Sequence, residues 1–239
     1  MPAPVLIIQT GDANQTLKSS YGGYAQQIQS ASGLCAGDIE VVTVCDGQTL
    51  RSPCSYRAVF ITGSPAMVTD REDWSERTAE WLREAAVQQM PMFGICYGHQ
   101  LLTHAFGGEV GYNPSGRAAG TMHVEMLDCC RKDALLGDLP ATFPAHMLHM
   151  QSVLRPQADA TVMARSPMDP HHMLKHAENI YSTQFHPEFS PDFVRAHLNY
   201  YADVYRGCGI DAHALREKVS DTPQSTGLLR RFLALHARH

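Results

Sequence analysis

An apolar run, Pro91-Met92-Phe93, leads directly into Gly94-Ile95-Cys96-Tyr97-Gly98-His99-Gln100. Apolar residues, then closely spaced glycines, then residues that suit a helix describe a buried strand turning sharply into a helix. The cysteine at the turn has the layout of a nucleophile elbow. As with serine in G-x-S-x-G, small neighbours permit the bend and the nucleophile projects from the strand's C-terminal end. There the Cys96 sulfur lies near a helix N-terminus, whose dipole favours a thiolate. The backbone N–H of Tyr97 is then free to act as half of an oxyanion hole.

The rest of the chain repeats the strand–helix alternation that such an elbow requires. Strands are expected at 5–9, 39–44, 57–62 and 91–95, with helices at 21–30, 71–89 and 99–106. The helix at 71–89 carries Trp74, Ala79, Trp81, Leu82, Ala85 and Ala86 at helical spacing. Alternation of this kind predicts an α/β fold: a mostly parallel open sheet with helices on both faces, layered as in flavodoxin. Further along, strands are expected at 121–127, 149–154, 161–164 and 180–185, with 135–144 read as turn-rich. Ser190-Pro191-Asp192 supplies an N-cap, a first-turn proline and a first-turn acid for a helix to about 205. The stretch 211–239 reads as helix, loop and final helix, with Leu228, Leu229, Phe232 and Leu233 at helical spacing. With no repeat or linker in view, one domain over 1–239 is expected, its core at about 5–205 and a helical extension at 206–239.

Composition excludes several classes. At 239 residues the chain suits one α/β domain with a sizeable core. A net charge of −5 and the lack of any Lys/Arg block argue against nucleic acid as a partner. No apolar stretch approaches the roughly 20 residues of a membrane span, so no membrane is expected. The first residues lack the basic region of a signal peptide. Seven cysteines without a framework spacing suit a reducing cytoplasm, the expected location.

A thiol nucleophile needs a base, and the base an orienting partner. His186 and Glu188 stand two residues apart at the end of the strand expected at 180–185. In extended backbone, positions i and i+2 point the same way. The carboxylate can therefore engage the imidazole while the other ring nitrogen faces Cys96. Parallel strands bring both elements to the carboxyl edge of the sheet, where ligands bind in open α/β folds.

With these residues in place, the chain resembles the class I (triad) glutamine amidotransferases. Gly94 to Gln100 matches the family's nucleophile motif, and Gln184-Phe185-His186-Pro187-Glu188 its second motif. Ile61-Thr62-Gly63-Ser64-Pro65 matches the turn that supplies the other oxyanion donor. The three occur in family order, roughly 30 and 90 residues apart, within about residues 5–205. The resemblance is to stand-alone amidotransferase domains like that of GMP synthetase.

That resemblance implies a mechanism. Cys96 attacks the side-chain amide of glutamine, and the N–H groups of Gly63 and Tyr97 hold the oxyanion. His186 protonates the leaving ammonia and then activates water, with Glu188 orienting it. Gln100, Ser64 and Gln151 are the expected substrate contacts. No cofactor is implied. A separate synthase subunit is the implied ammonia acceptor, because no Walker A or pyrophosphatase loop follows in the chain.

One element departs from the family. His149-Met150-Gln151 stands where a His-(small)-(acid) element usually grips the amino-acid end of glutamine. A γ-glutamyl peptide or amine hydrolase using the same triad is therefore the alternative reading. A non-catalytic regulatory relative is a third, and the intact triad argues against it. Thirteen histidines invite a metal hypothesis. However, His172 and His176 are four apart in a turn-and-strand region and Cys129-Cys130 are adjacent, so neither spacing converges on one ion. No metal is expected.

Overall fold

In the computed structural model, which describes residues 3–237, Val5 and Ile7 face one side of a sheet and Leu6 and Ile8 the other. All four are fully buried. Side chains alternate faces along a strand, so a strand apolar at every position must be covered on both sides. The order of elements follows that demand. It begins β1 (Val5–Gln9), α1 (Gln15–Tyr21), α2 (Tyr24–Ser32), β2 (Ile39–Thr43), β3 (Ala58–Ile61), α3 (Asp73–Val87), β4 (Met92–Ile95) and α4 (Tyr97–Ala105). Strands β5 (Glu109–Tyr112), β6 (Ala118–Met126), β7 (Thr142–His149), β8 (Gln151–Arg155), β9 (Thr161–Arg165), β10 (Met173–Ala177) and β11 (Ile180–Thr183) follow. Helices α5 (Pro191–Tyr200), α6 (Ala202–Gly207), α7 (Ala212–Glu217), α8 (Pro223–Thr226) and α9 (Leu228–His236) close the chain.

The main sheet has nine strands in the order β2-β1-β3-β4-β11-β10-β9-β6-β7. The pairings from β2 through β11 are parallel, and those from β11 to β7 are antiparallel. The expected parallel core is present, and an antiparallel wing extends it. Helices α2 and α9 cover one face through Ala25, Ile28, Leu228, Leu229 and Phe232, against Val5, Ile7, Phe60 and Phe93. Helices α3 and α4 cover the other through Ala79, Leu82, Leu101 and Leu102, against Leu6, Ile8, Val59 and Ile61. A third cluster joins α1, α5 and α6 through Leu17, Phe193, Val194, Leu198 and Tyr205.

Several expected elements are divided differently. The helix expected at 21–30 is α2, which starts at Tyr24, and an unexpected helix, α1, precedes it and ends at Gly22 with φ +81°. That left-handed value suits glycine and ends α1. The Gln26 side chain then returns to accept the Gly23 N–H at 2.9 Å and starts α2. The single strand expected at 149–154 is two. His149 ends β7 in the main sheet, and Gln151 begins β8, which pairs with β5 in a separate two-stranded sheet. Met150 is the junction. Strand β7 begins within the stretch read as turn, and the helix expected to 205 breaks after Tyr200.

Register places the site. Ile95 of β4 pairs with Thr183 of β11, and the Cys96 N–H donates to the Thr183 carbonyl at 2.8 Å. The residue after β4 and the segment after β11 thus emerge side by side. His186 is held there by its own backbone, its N–H donating to the His146 carbonyl on β7 at 2.8 Å.

Candidate active site

Cys96 has φ +51° and ψ −98°, a conformation that L-residues avoid. Such strain costs on the order of 1–3 kcal/mol and persists only when the surroundings over-determine it. The surroundings here are the two glycines. A Cβ on Gly94 would lie 2.5 Å from the Gly98 carbonyl oxygen, and one on Gly98 would lie 2.6 Å from the Ile61 carbonyl oxygen. Only without side chains can α4 start so close against β3 and β4. Within α4, Gly98 N–H donates to Thr62 O at 3.2 Å and Gln100 N–H to Cys96 O at 3.1 Å. Tyr97 is the first helical residue, whose N–H has no carbonyl within its own helix. Neither it nor the Gly63 N–H donates to a backbone acceptor among the described residues.

The histidine and the glutamate meet as the spacing predicts. His186 Nδ1 lies 2.7 Å from Glu188 Oε1, and both side chains are buried. Both residues lie beyond the end of β11, His186 in an isolated antiparallel bridge to His146 and Glu188 in the bend that follows. The His186 Nε2 is buried without a hydrogen-bond partner among the described residues, and the Cys96 thiol donates to the Leu148 carbonyl at 3.9 Å. Gly63 closes the site: a Cβ there would come 3.2 Å from His186 Cε1 and 3.6 Å from Cys96 Cβ. Burial pushes the imidazole's pKa down, but the Glu188 and Cys96 charges push it up more strongly, to about 10. The arrangement therefore favours the protonated imidazole. Its ring is stacked on Phe189, centroids 4.2 Å apart and planes 9° from parallel. Phe189 escaped the sequence reading because an aromatic three residues after a histidine carries no signal without the turn that folds it back.

The other expected contacts sort by what their side chains already do. Ser64 Oγ donates to Thr10 O at 2.8 Å and accepts from Ala66 N–H at 3.1 Å, so its hydroxyl shapes the turn that presents Gly63. Gln100 Nε2 donates to Gln151 O at 2.7 Å and to Gln184 Oε1 at 3.0 Å. Gln151 Nε2 donates to Thr69 Oγ1 at 2.6 Å, and its Oε1 is buried without a partner. Cys96, Tyr97, Gln100, Ser64, Gln151 and His186 all line one cavity of about 420 Å³, within the range of small-molecule sites. The ring of Tyr97 turns away from the reacting atoms, stacking on Trp74 and sharing a 2.7 Å hydrogen bond with Ser75, so only its backbone faces Cys96.

From the His149 wall of this cavity inward lies a polar interior that the sequence did not announce. His149 Nε2 is 3.7 Å from Asp169 Oδ2, both buried. Burial, then His172, holds the His149 pKa well below 6.5, and burial raises that of Asp169. The contact is thus between a neutral imidazole and a carboxyl group, not an ion pair. His99 and His176 share the Ser182 hydroxyl at 2.7 and 2.6 Å. No group of three or more His, Cys, Asp or Glu among the described residues is arranged to hold a metal. Nor is any described helix long and apolar enough to cross a membrane.

Comparisons with known proteins place this geometry. Residues 17–198 match the sequence profile of the family described as "Glutamine amidotransferase class-I". The chain is similar to the glutamine-hydrolysing GMP synthase of Aeropyrum pernix, 38% identical over 130 residues, 54% of this chain and 24% of that protein. It therefore spans about a quarter of that relative's length. It is also similar to γ-glutamyl peptidase 3 of Arabidopsis thaliana, 26% identical over 194 residues, 79% of this chain and 78% of that one. Its fold is that of a glutamine amidotransferase crystal structure from Thermotoga maritima, TM-score 0.80 at 18% identity, covering 100% of both chains. With the match spanning most of the chain, from α1 to α5, this protein belongs to the class-I glutamine amidotransferase family.

Proposed function

We propose that this protein is a cysteine-dependent γ-glutamyl amide hydrolase of the amidotransferase type, with Cys96, His186 and Glu188 as its triad. Glutamine is the substrate, and the ammonia released goes to a separate acceptor enzyme. The carrying observation is a buried imidazole tied to Glu188 at 2.7 Å whose ring shares the wall beside Gly63 with a cysteine on a strained elbow. The Cys96 thiolate attacks the amide carbon and the carbonyl π electrons move to oxygen. The Gly63 and Tyr97 N–H groups receive that oxyanion, and losing one such donor typically costs about 100- to 1000-fold in rate. The tetrahedral species expels ammonia as His186 Nε2–H protonates the nitrogen, leaving a γ-glutamyl thioester. His186 then takes a proton from water, the hydroxide attacks the thioester, and the C–S bond breaks to give glutamate and the thiolate.

One observation favours hydrolysis of larger γ-glutamyl compounds as a second reading. The cavity does not end at the triad but runs on to Arg117, Tyr201, Val204 and Tyr205. Seven free cysteines suit work in a reducing cytoplasm. The test is release of glutamate and ammonia from glutamine by the purified protein and by Cys96→Ala, with folding of the variant checked by circular dichroism. Loss of all turnover in a folded variant supports the triad. Retained turnover refutes it.

A further inference from the structure

The cavity has two ends of different character. Its inner end is floored by Gln100 and Gln151, 4% and 1% exposed. Its outer end opens beside α6, where Val204 is 49% exposed. At this outer end stands Arg117, the one lysine or arginine lining the cavity. No carboxylate pairs with it among the described residues. Its Nε is buried without a hydrogen-bond partner. The Tyr205 ring lies 5.3 Å from its guanidinium carbon, and Met150 Sδ contacts one terminal nitrogen.

A guanidinium already resting over an aromatic ring loses less entropy when it binds, and its planar donors match a carboxylate. A second donor lines the same cavity. The Tyr201 hydroxyl oxygen accepts from Asn14 Nδ2 at 3.1 Å, and its own proton has no acceptor among the described residues. The one acid lining the cavity, Asp12, does not neutralise this charge. It is taken up by Lys18 at 2.6 Å and by the Ala13 and Tyr24 N–H groups at 2.9 Å each.

We infer that Arg117, assisted by the Tyr201 hydroxyl, forms a carboxylate-binding subsite for the leaving-group side of the substrate. The substrate class is then γ-glutamyl compounds whose amine portion itself carries a carboxylate, such as γ-glutamyl amino acids and peptides. This rests on the Cys96 chemistry proposed above and deepens its second reading, in which the substrate is larger than glutamine. The glutamyl portion occupies the buried end over Gln100 and Gln151, so the amine portion points outward past His186 to Arg117. The isopeptide C–N bond breaks as His186 gives its proton to the leaving nitrogen. A free amino acid or peptide departs with its carboxylate still on Arg117, and water then releases glutamate from Cys96. The ammonia of free glutamine has no group that reaches this subsite.

The test compares kcat/KM for γ-glutamylglycine, γ-glutamylglycinamide and glutamine, in the wild-type protein and in Arg117→Ala and Arg117→Lys. The first two substrates differ only in the outer carboxylate. The wild type should prefer γ-glutamylglycine over the glycinamide by about 10- to 100-fold, the discrimination of a charge-assisted contact. In Arg117→Ala that ratio should fall to near one, and Arg117→Lys should restore part of it. A wild-type ratio near one overturns the subsite, as does turnover of glutamine alone. An equal loss on all three substrates in Arg117→Ala also overturns it, because the arginine would then grip the shared glutamyl end. Turnover that survives Cys96→Ala, or no turnover of any of the three, refutes the triad reading itself and the subsite with it.

Discussion

The Gly94 Cα points so directly at Gly98 that an added Cβ would sit 2.5 Å from the Gly98 carbonyl oxygen and 2.7 Å from Leu102 Cδ1. The Gly98 oxygen is backbone within α4 and cannot swing aside. Gly94→Ala should therefore push the helix from the strand and relax the positive φ at Cys96. The expected cost is about 1–3 kcal/mol, as for other overpacked cores, read by urea unfolding, together with a drop in turnover larger than the loss of folded protein explains. Wild-type stability and turnover would show that the glycines do not create the elbow.

The raised pKa of His186 has a definite sign. Its protonated form is favoured by Glu188 and Cys96 against burial, so the stability it contributes is full below about 6.5 and lost as pH rises through about 10. In the proposed mechanism the same proton is the one given to the leaving group. The pH profile of kcat/KM should therefore keep its alkaline limb near pH 10. In Glu188→Gln, with one negative charge removed, that limb should move to lower pH. An unmoved limb would assign it to another group.

The other buried histidines act in the opposite direction. Burial lowers His146 and His172 to about 4 and His176 to about 3, and holds His99 and His149 well below 6.5. Below about pH 6.5 the unfolded chain takes up protons that the folded chain refuses. Stability is then lost as pH falls from 6.5 toward 4, by up to about 1.4 kcal/mol per pH unit for each such histidine. Urea unfolding at stepwise pH should show this steep fall, and His176→Gln should flatten it. A stability flat from pH 7 to 4.5 would contradict the neutral interior.

The C-terminal extension is held in the core rather than laid on the surface. Phe232 is fully buried, its ring 5.8 Å from Phe60 and 5.4 Å from Phe93. Phe232→Ala should cost about 3–5 kcal/mol, measured by urea unfolding. A cost near zero would mean that α9 docks only loosely.

What the sequence disclosed, and what it hid, follows from the range of the forces involved. The β1, β3 and β4 strands were legible because uninterrupted apolar runs such as Val5 to Ile8 leave no other way to be buried. The elbow at Cys96 and the His186–Glu188 contact were legible because Gly94, Gly98, His186 and Glu188 act through neighbours in the chain. The split at Met150 was not, because His149 and Gln151 join different sheets through partners at Ala118 and Tyr112. The Phe189 stack and the placement of Arg117 beside Tyr205 are tertiary facts with no local pattern. The start of α2 after Gly22-Gly23 was in principle readable, since paired glycines mark a helix boundary.

The most direct test of the account is to capture the acyl-enzyme. The protein is mixed with γ-glutamylglycine or glutamine, quenched in acid within the first turnover, digested, and mapped by mass spectrometry. The account predicts a γ-glutamyl thioester on the peptide containing Cys96, absent from Cys96→Ala and from a sample without substrate. A γ-glutamyl group on any other residue, or full turnover in Cys96→Ala with no adduct at all, would contradict it.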